Sequence, residues 1–167
     1  RATGSWEVVF GRGLHTDELF MAWHFARYAE RVAAAGKAEY ALPMFVNAAL
    51  IRPGYLPGRY VSAGPLPHLI DVWRAAAPHI ALVAPDIYNR DPKAYAKYLD
   101  LYARPDNPLM VPETGNAAEY ARFLWSALGK GAIGFSPFGF DDTGYVNYPL
   151  GAKQLDDATI DAFASKY

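Results

Sequence analysis

The residue best placed to do chemistry is Glu113. It closes the apolar run Pro108-Leu109-Met110-Val111-Pro112, continues into Thr114-Gly115, and stands directly before a helical pattern. A carboxylate there is available as a nucleophile or general base. The structural alternative is an acid at a helix N-terminus, stabilised by the dipole. Three other apolar runs end the same way, in polar groups: Asn47, then Asp86 with Tyr88, then Ser136, with Phe138 just beyond. Asn47 serves equally as a cap of its strand end, Asp86 and Tyr88 as a Pro-Asp turn with a packed ring, and Phe138 as core.

Other chemistries lack their residues. Cysteine is absent, which removes disulfides and thiolate metal sites and leaves the redox compartment open. His15, His24, His68 and His79 show neither H-x-x-x-H nor HExxH spacing, so no metal site is expected. Ser136 has no G-x-S-x-G setting, which argues against a serine hydrolase. No Lys stands at any of the four run ends, which argues against a Schiff-base lyase or aldolase. No cofactor is implied. A net charge of -1 without any run of Lys or Arg gives no electrostatic case for nucleic acid or an acidic membrane surface. No segment approaches the roughly 18 apolar residues of a membrane span.

These groups need elements to hold them. With 52% hydrophobic and 20% charged residues the chain can bury a core. Thr16 to Gly36 reads as a helix, with Thr16 as cap, Ala22, Phe25, Ala29, Val32 and Ala33 on its buried face, and Gly36 as its stop. Pro43–Ala48 suits a strand buried on both faces. Residues 51–65 form a long Gly/Pro-rich loop carrying Arg52, Tyr55, Arg59 and Tyr60. Leu66, Leu69, Ile70, Trp73 and Ala77 then outline a short helix before Pro78. Ile80–Pro85 is the next strand. Asp91 caps a helix with Pro92 at its first position, followed by Tyr95, Tyr98, Leu99 and Tyr102. After the run ending at Glu113, Asn116 with Glu119 resembles a capping box, and Gly129 ends that helix. Ala132–Phe138 is the fourth strand, followed by a Gly-, Asp- and Tyr-rich loop to about residue 155. A last helix begins at Asp156 or Asp157 and carries Ile160 and Phe163.

Strict β/α alternation predicts an α/β protein with a parallel sheet. A doubly wound nucleotide domain would show a G-x-G-x-x-G turn after its first strand or a phosphate loop, and neither occurs. Polar groups at successive C-terminal strand ends fit a (β/α)8 barrel better. A whole barrel takes about 250 residues, so residues 1–167 are expected to be part of one, with the remaining half elsewhere. The start RATGSWEVVFG likewise reads as the middle of a longer protein. It fixes no cellular compartment.

The run PLMVPETGN, its following helix and AIGFSPFGFDD resemble the seventh and eighth units of bacterial β-galactosidases of glycoside hydrolase family 35 and their family 42 relatives. FMAWHFARYAERVAAAGKAEYALPMFVNAAL and GPLPHLIDVWRAAAPHIALVAPDIY are similar to the fourth helix through the sixth strand of the same group. The likeness runs from about residue 15 to 150. It implies the C-terminal half, about strands 5–8, of a TIM (β/α)8 barrel. It also implies a retaining double displacement on a β-galactoside or related oligosaccharide, with Glu113 as nucleophile. The acid/base of the group follows an Asn at the fourth strand end. No Asn-Glu dipeptide occurs here, so that residue is expected outside this chain, and the fragment alone is expected to be inactive. Asn47, Asp86, Tyr88 and Ser136 would then bind sugar hydroxyls, or hold Glu113 ionised in the case of Asp86 and Tyr88. Phe138 and Phe140 would stack on the ring, and Tyr55, Tyr60, Arg52 and Arg59 would shape outer subsites. A homo-oligomer is compatible with the sequence. A non-catalytic carbohydrate-binding relative is the alternative.

Overall fold

The computed structural model describes residues 2–139 and 156–165. Four strands, β1 (Met44–Ala49), β2 (Ile80–Ile87), β3 (Val111–Thr114) and β4 (Phe135–Pro137), lie in one sheet in chain order. The β2–β3 and β3–β4 pairs are parallel. Helices fill the connections: α1 (Trp6–Phe10), α2 (Leu14–Glu39), α3 (Ile70–Ala76), α4 (Pro92–Tyr102), α5 (Arg122–Gly129) and α6 (Asp157–Ala164). The parallel α/β sheet expected from the apolar runs is therefore present. None of the described helices is long and apolar enough to cross a membrane. The chain divides into two compact units, Arg1–Ala84 and Pro85–Tyr167.

In the first unit, α2 departs from its sequence reading in three ways. Its N-cap is Gly13, and the Thr16 hydroxyl instead donates to the Gly11 carbonyl at 2.6 Å. Gly36 does not stop the helix, which runs on to Glu39. A Cβ on Gly36 would lie 2.6 Å from Met44 Cε, so this glycine makes room for a strand side chain. The buried stripe is Glu18, Ala22, Ala26, Glu30 and Ala33, whereas Phe25 and Val32 are exposed. The predicted face is thus rotated, because both glutamates find partners far along the chain. Glu18 takes the Tyr60 phenol at 3.0 Å, the Ala63 N–H at 3.2 Å and His68 Nε2 at 2.9 Å. Glu30 takes the His79 N–H at 2.9 Å and its Nδ1 at 2.5 Å.

Three alanines on α2 present a low surface opposite α3, whose Ile70, Trp73 and Ala76 are buried. Leu66 and Leu69 precede α3 in the turns before it, both buried. Trp73 Nε1 donates to the Ala63 carbonyl at 3.1 Å. Ala63 has φ 67, a left-handed conformation that costs a non-glycine residue energy unless its surroundings fix it. Here both its N–H and its carbonyl are taken. The first strand is not buried on both faces as expected: Phe45 is 45% exposed and Asn47 is also exposed. β1 ends the strand order and needs no such burial. The helix α1, with Ser5 as its cap, was not anticipated.

The second unit follows its sequence signals more closely. Asp91 caps α4 by accepting from Ala94 N at 2.8 Å, and Pro92 occupies the first turn, where its missing N–H costs nothing. Tyr95, Leu99 and Tyr102 line the buried side, and Tyr95 stacks on Phe123 of α5 with ring centroids 3.9 Å apart. Asn116 does not cap the following helix. Its amide donates to the Phe138 carbonyl at 2.8 Å, while a 3-10 turn over Ala118–Tyr120 leads into α5. Gly129 ends α5 as expected. Phe140 and the loop to residue 155 lie outside the described residues, as do the side chains of Ile160 and Phe163.

Candidate functional site

The parallel register of β2 and β3 pairs Asp86 with Glu113 and Ile87 with Thr114. Successive side chains of a strand alternate between faces. Asp86 and Glu113 therefore share one face, while Ile87 and Thr114 share the other, where both are fully buried. On that buried face the Thr114 hydroxyl donates to the Ile87 carbonyl at 2.7 Å and meets the Tyr95 hydroxyl at 3.0 Å. Since the Thr114 proton is committed to Ile87, Tyr95 is the donor of the second bond. The two strand ends are thus tied together from behind the site.

Tyr88 lies two residues beyond Asp86, back on the face of Glu113. Its phenol donates to Glu113 Oε1 at 2.7 Å. Glu113 is half-buried and Tyr88 is 48% exposed, so the pair is reachable from solvent. Burial, the bond to Glu113 and the charge of Asp86 together push the Tyr88 phenol well above its ordinary range. The phenol accordingly stays protonated and acts as a donor. A half-buried carboxylate with one oxygen held and solvent access beside it is arranged for attack on an electrophile or for binding hydroxyls.

Two of the remaining sequence candidates lie on the neighbouring strand and just past it. β4 pairs with β3 at Val111 to Phe135 and at Thr114 to Pro137, three steps against two, so β3 carries an irregularity around Pro112 and Glu113. Such bulges re-aim side chains beside active sites. Ser136 is exposed on β4, and Phe138 is 38% exposed. The Phe138 N–H donates to the Thr114 carbonyl at 2.8 Å, which ties that ring's backbone to the residue after Glu113. Asn47 is on β1 in the first unit. Tyr60, expected on an open loop, is buried with its phenol on Glu18.

The sequence reading missed both Thr114 as a tie and Tyr120 as a support. The Tyr120 hydroxyl donates to the Tyr88 carbonyl at 2.7 Å. A groove of about 240 Å³ in the first unit, with Leu14, Met21, Phe25 and Pro57 in its lining, also has Glu18 in its wall. That carboxylate is already occupied by its three partners. Among the described residues no group of three His, Asp or Glu could hold a metal ion. No family model matches this chain, and no curated protein matches it either.

Proposed function

We propose that this chain carries the nucleophile half of a retaining β-galactosidase-type site, on about strands 5–8 of a (β/α)8 barrel. The observation that carries the reading is the Tyr88–Glu113 bond at the C-terminal ends of adjacent parallel strands, with Asp86 in register on the same face. In parallel α/β barrels catalytic groups come from those ends. The resemblance over residues 15–150 points to the same residue.

In this reading Glu113 Oε2 attacks the anomeric carbon as the glycosidic C–O bond breaks. A second glutamate, supplied from outside this chain and about 5–5.5 Å away, protonates the departing oxygen. Water then adds to the anomeric carbon, gives its proton to that second glutamate, and the ester bond to Glu113 breaks. Throughout, the Tyr88 phenol holds Oε1, which becomes the ester carbonyl oxygen, and so keeps Oε2 aimed at the sugar. Asp86 and Ser136 bind hydroxyls, and the Phe138 ring offers a stacking surface.

The test is Glu113→Gln in the full-length protein, assayed on an aryl β-galactoside. The expected loss in kcat is at least about 10³-fold, as for other nucleophile removals. Near-normal turnover refutes the assignment. A fluorosugar inactivator is expected to label Glu113 in the active protein. Galactoside binding without turnover by the unaltered protein would favour the non-catalytic relative instead.

A further inference from the structure

Tyr88 has left the sheet, since β2 ends at Ile87, and its side chain is half exposed. A ring in that position ordinarily samples several rotamers. Its bond to Glu113 needs a backbone that stays in place, and the grip on that backbone comes from Tyr120, whose hydroxyl donates to the Tyr88 carbonyl. The two rings also meet edge to face, 6.5 Å apart at 73°. Tyr120 is itself clamped. It is buried, Phe123 meets it edge-on at 6.0 Å, and the Arg90 guanidinium lies 5.8 Å from its ring centre. Its remaining side rests on Gly115, where an added Cβ would come within 2.3 Å of Tyr120 Cε2. The glycine two residues after Glu113 is thus required by space.

We propose that Tyr120, seated on Gly115, is a positioning residue for Glu113 and acts through Tyr88. This rests on the reading of Glu113 as nucleophile. Tyr120 is buried, and its hydroxyl bonds the Tyr88 carbonyl and not Glu113. It fixes the carbonyl of the residue whose phenol fixes the carboxylate. The side chains form a chain of command from Gly115 to Tyr120 to Tyr88 to Glu113, so each link matters only while the next is intact.

That dependence is the test. In the full-length protein, Tyr120→Phe keeps the ring and deletes the hydroxyl. It is expected to lower kcat on the order of 10-fold with KM little changed, the scale of one misplaced group. Tyr88→Phe is expected to lower it at least as much. The double variant should be no slower than Tyr88→Phe alone, since coupled residues are non-additive. Fully additive losses overturn the proposal. An arm without activity reads the phenol itself, by ¹³Cζ-tyrosine NMR with the Tyr88 signal assigned from Tyr88→Phe. At a fixed neutral pH, Tyr120→Phe should move the Tyr88 ¹³Cζ signal in the same direction as Glu113→Gln does, because a loosened phenol leaves its carboxylate. An unmoved Tyr88 signal overturns the positioning role. If Glu113→Gln keeps its turnover while Tyr120→Phe still moves the Tyr88 signal, the nucleophile assignment has failed and the positioning contact stands.

Discussion

Each unit of this protein contains a glutamate that accepts a tyrosine phenol, and the two pairs are built for opposite ends. In the first unit Glu18 is buried at 4% exposure and shares its oxygens among Tyr60, Ala63 and His68. In the second unit Glu113 is half-buried and takes the Tyr88 phenol on one oxygen. A buried carboxylate must be fully paired, because an unpaired one carries its whole desolvation cost. That necessity makes Glu18 a fastener and leaves it nothing to offer a ligand. Glu113 keeps contact with solvent and, in the function proposed above, uses its second oxygen for chemistry. Burial and partner number, more than residue type or the tyrosine neighbour, separate the two carboxylates here, one a fastener and the other the proposed nucleophile.

The sharpest way to break this comparison is to exchange the expected phenotypes. Glu113→Gln should cost at least about 10³-fold in turnover, while the thermal midpoint moves by only a few degrees, as for surface-accessible changes. Glu18→Ala should do the reverse. It strands several buried donors and is expected to cost about 3–5 kcal/mol. At about 2–4 °C per kcal/mol for a domain of this size, the midpoint should fall roughly 10 °C. Equal thermal losses in the two variants would erase the distinction. Next in size, Tyr60→Phe should cost about 1.5–3 kcal/mol in urea denaturation, since it removes a bond to a buried charged group.

Glu30 offers a pH test of the same rule. Burial raises its pKa, but the two bonds from His79, the charge of that ring and Arg27 outweigh burial and leave the carboxyl below its ordinary 4.5. A carboxyl lowered on folding stabilises the native state above its unfolded value. That contribution is lost as the pH falls through the lower folded value. The urea midpoint should therefore drop on acidification below about 4.5, and Glu30→Gln should flatten that part of the profile. The smallest effect is expected at the exposed Lys130–Asp100 ion pair, where Lys130→Ala should cost under about 1 kcal/mol.

Much of the second unit was legible in the sequence because its signals are local. Asp91 followed by Pro92 is a cap and a first turn within a few residues, and the strand-end position of Glu113 follows from one apolar run. The first unit hid its logic because the decisive contacts are distant. Glu18 and Glu30 sit where a helical stripe calls for apolar residues, and their partners lie 42 to 50 residues away. A stripe of Glu18, Ala22, Ala26, Glu30 and Ala33 carries the right period once buried glutamates are admitted. Gly36 misled for a related reason: it clears space for Met44, which no rule for helix ends anticipates. Asn116 had the spacing of a cap, yet its amide donates to the Phe138 carbonyl just past the next strand, and the chain enters α5 through a 3-10 turn instead.

The one-way relay from Tyr95 through Thr114 to the Ile87 carbonyl has a consequence for how the molecule breathes. Strand ends usually fray one by one, and their amides exchange with solvent at low opening cost. Here Ile87 and Thr114, the immediate neighbours of Tyr88 and Glu113, are joined to each other and to helix α4 by side chains that point away from the site. Opening either strand end means breaking that relay and lifting it from the stack of Tyr95 on Phe123. Amide exchange is therefore expected to find the strand ends that carry Tyr88 and Glu113, and the helix behind them, opening as a single cooperative unit.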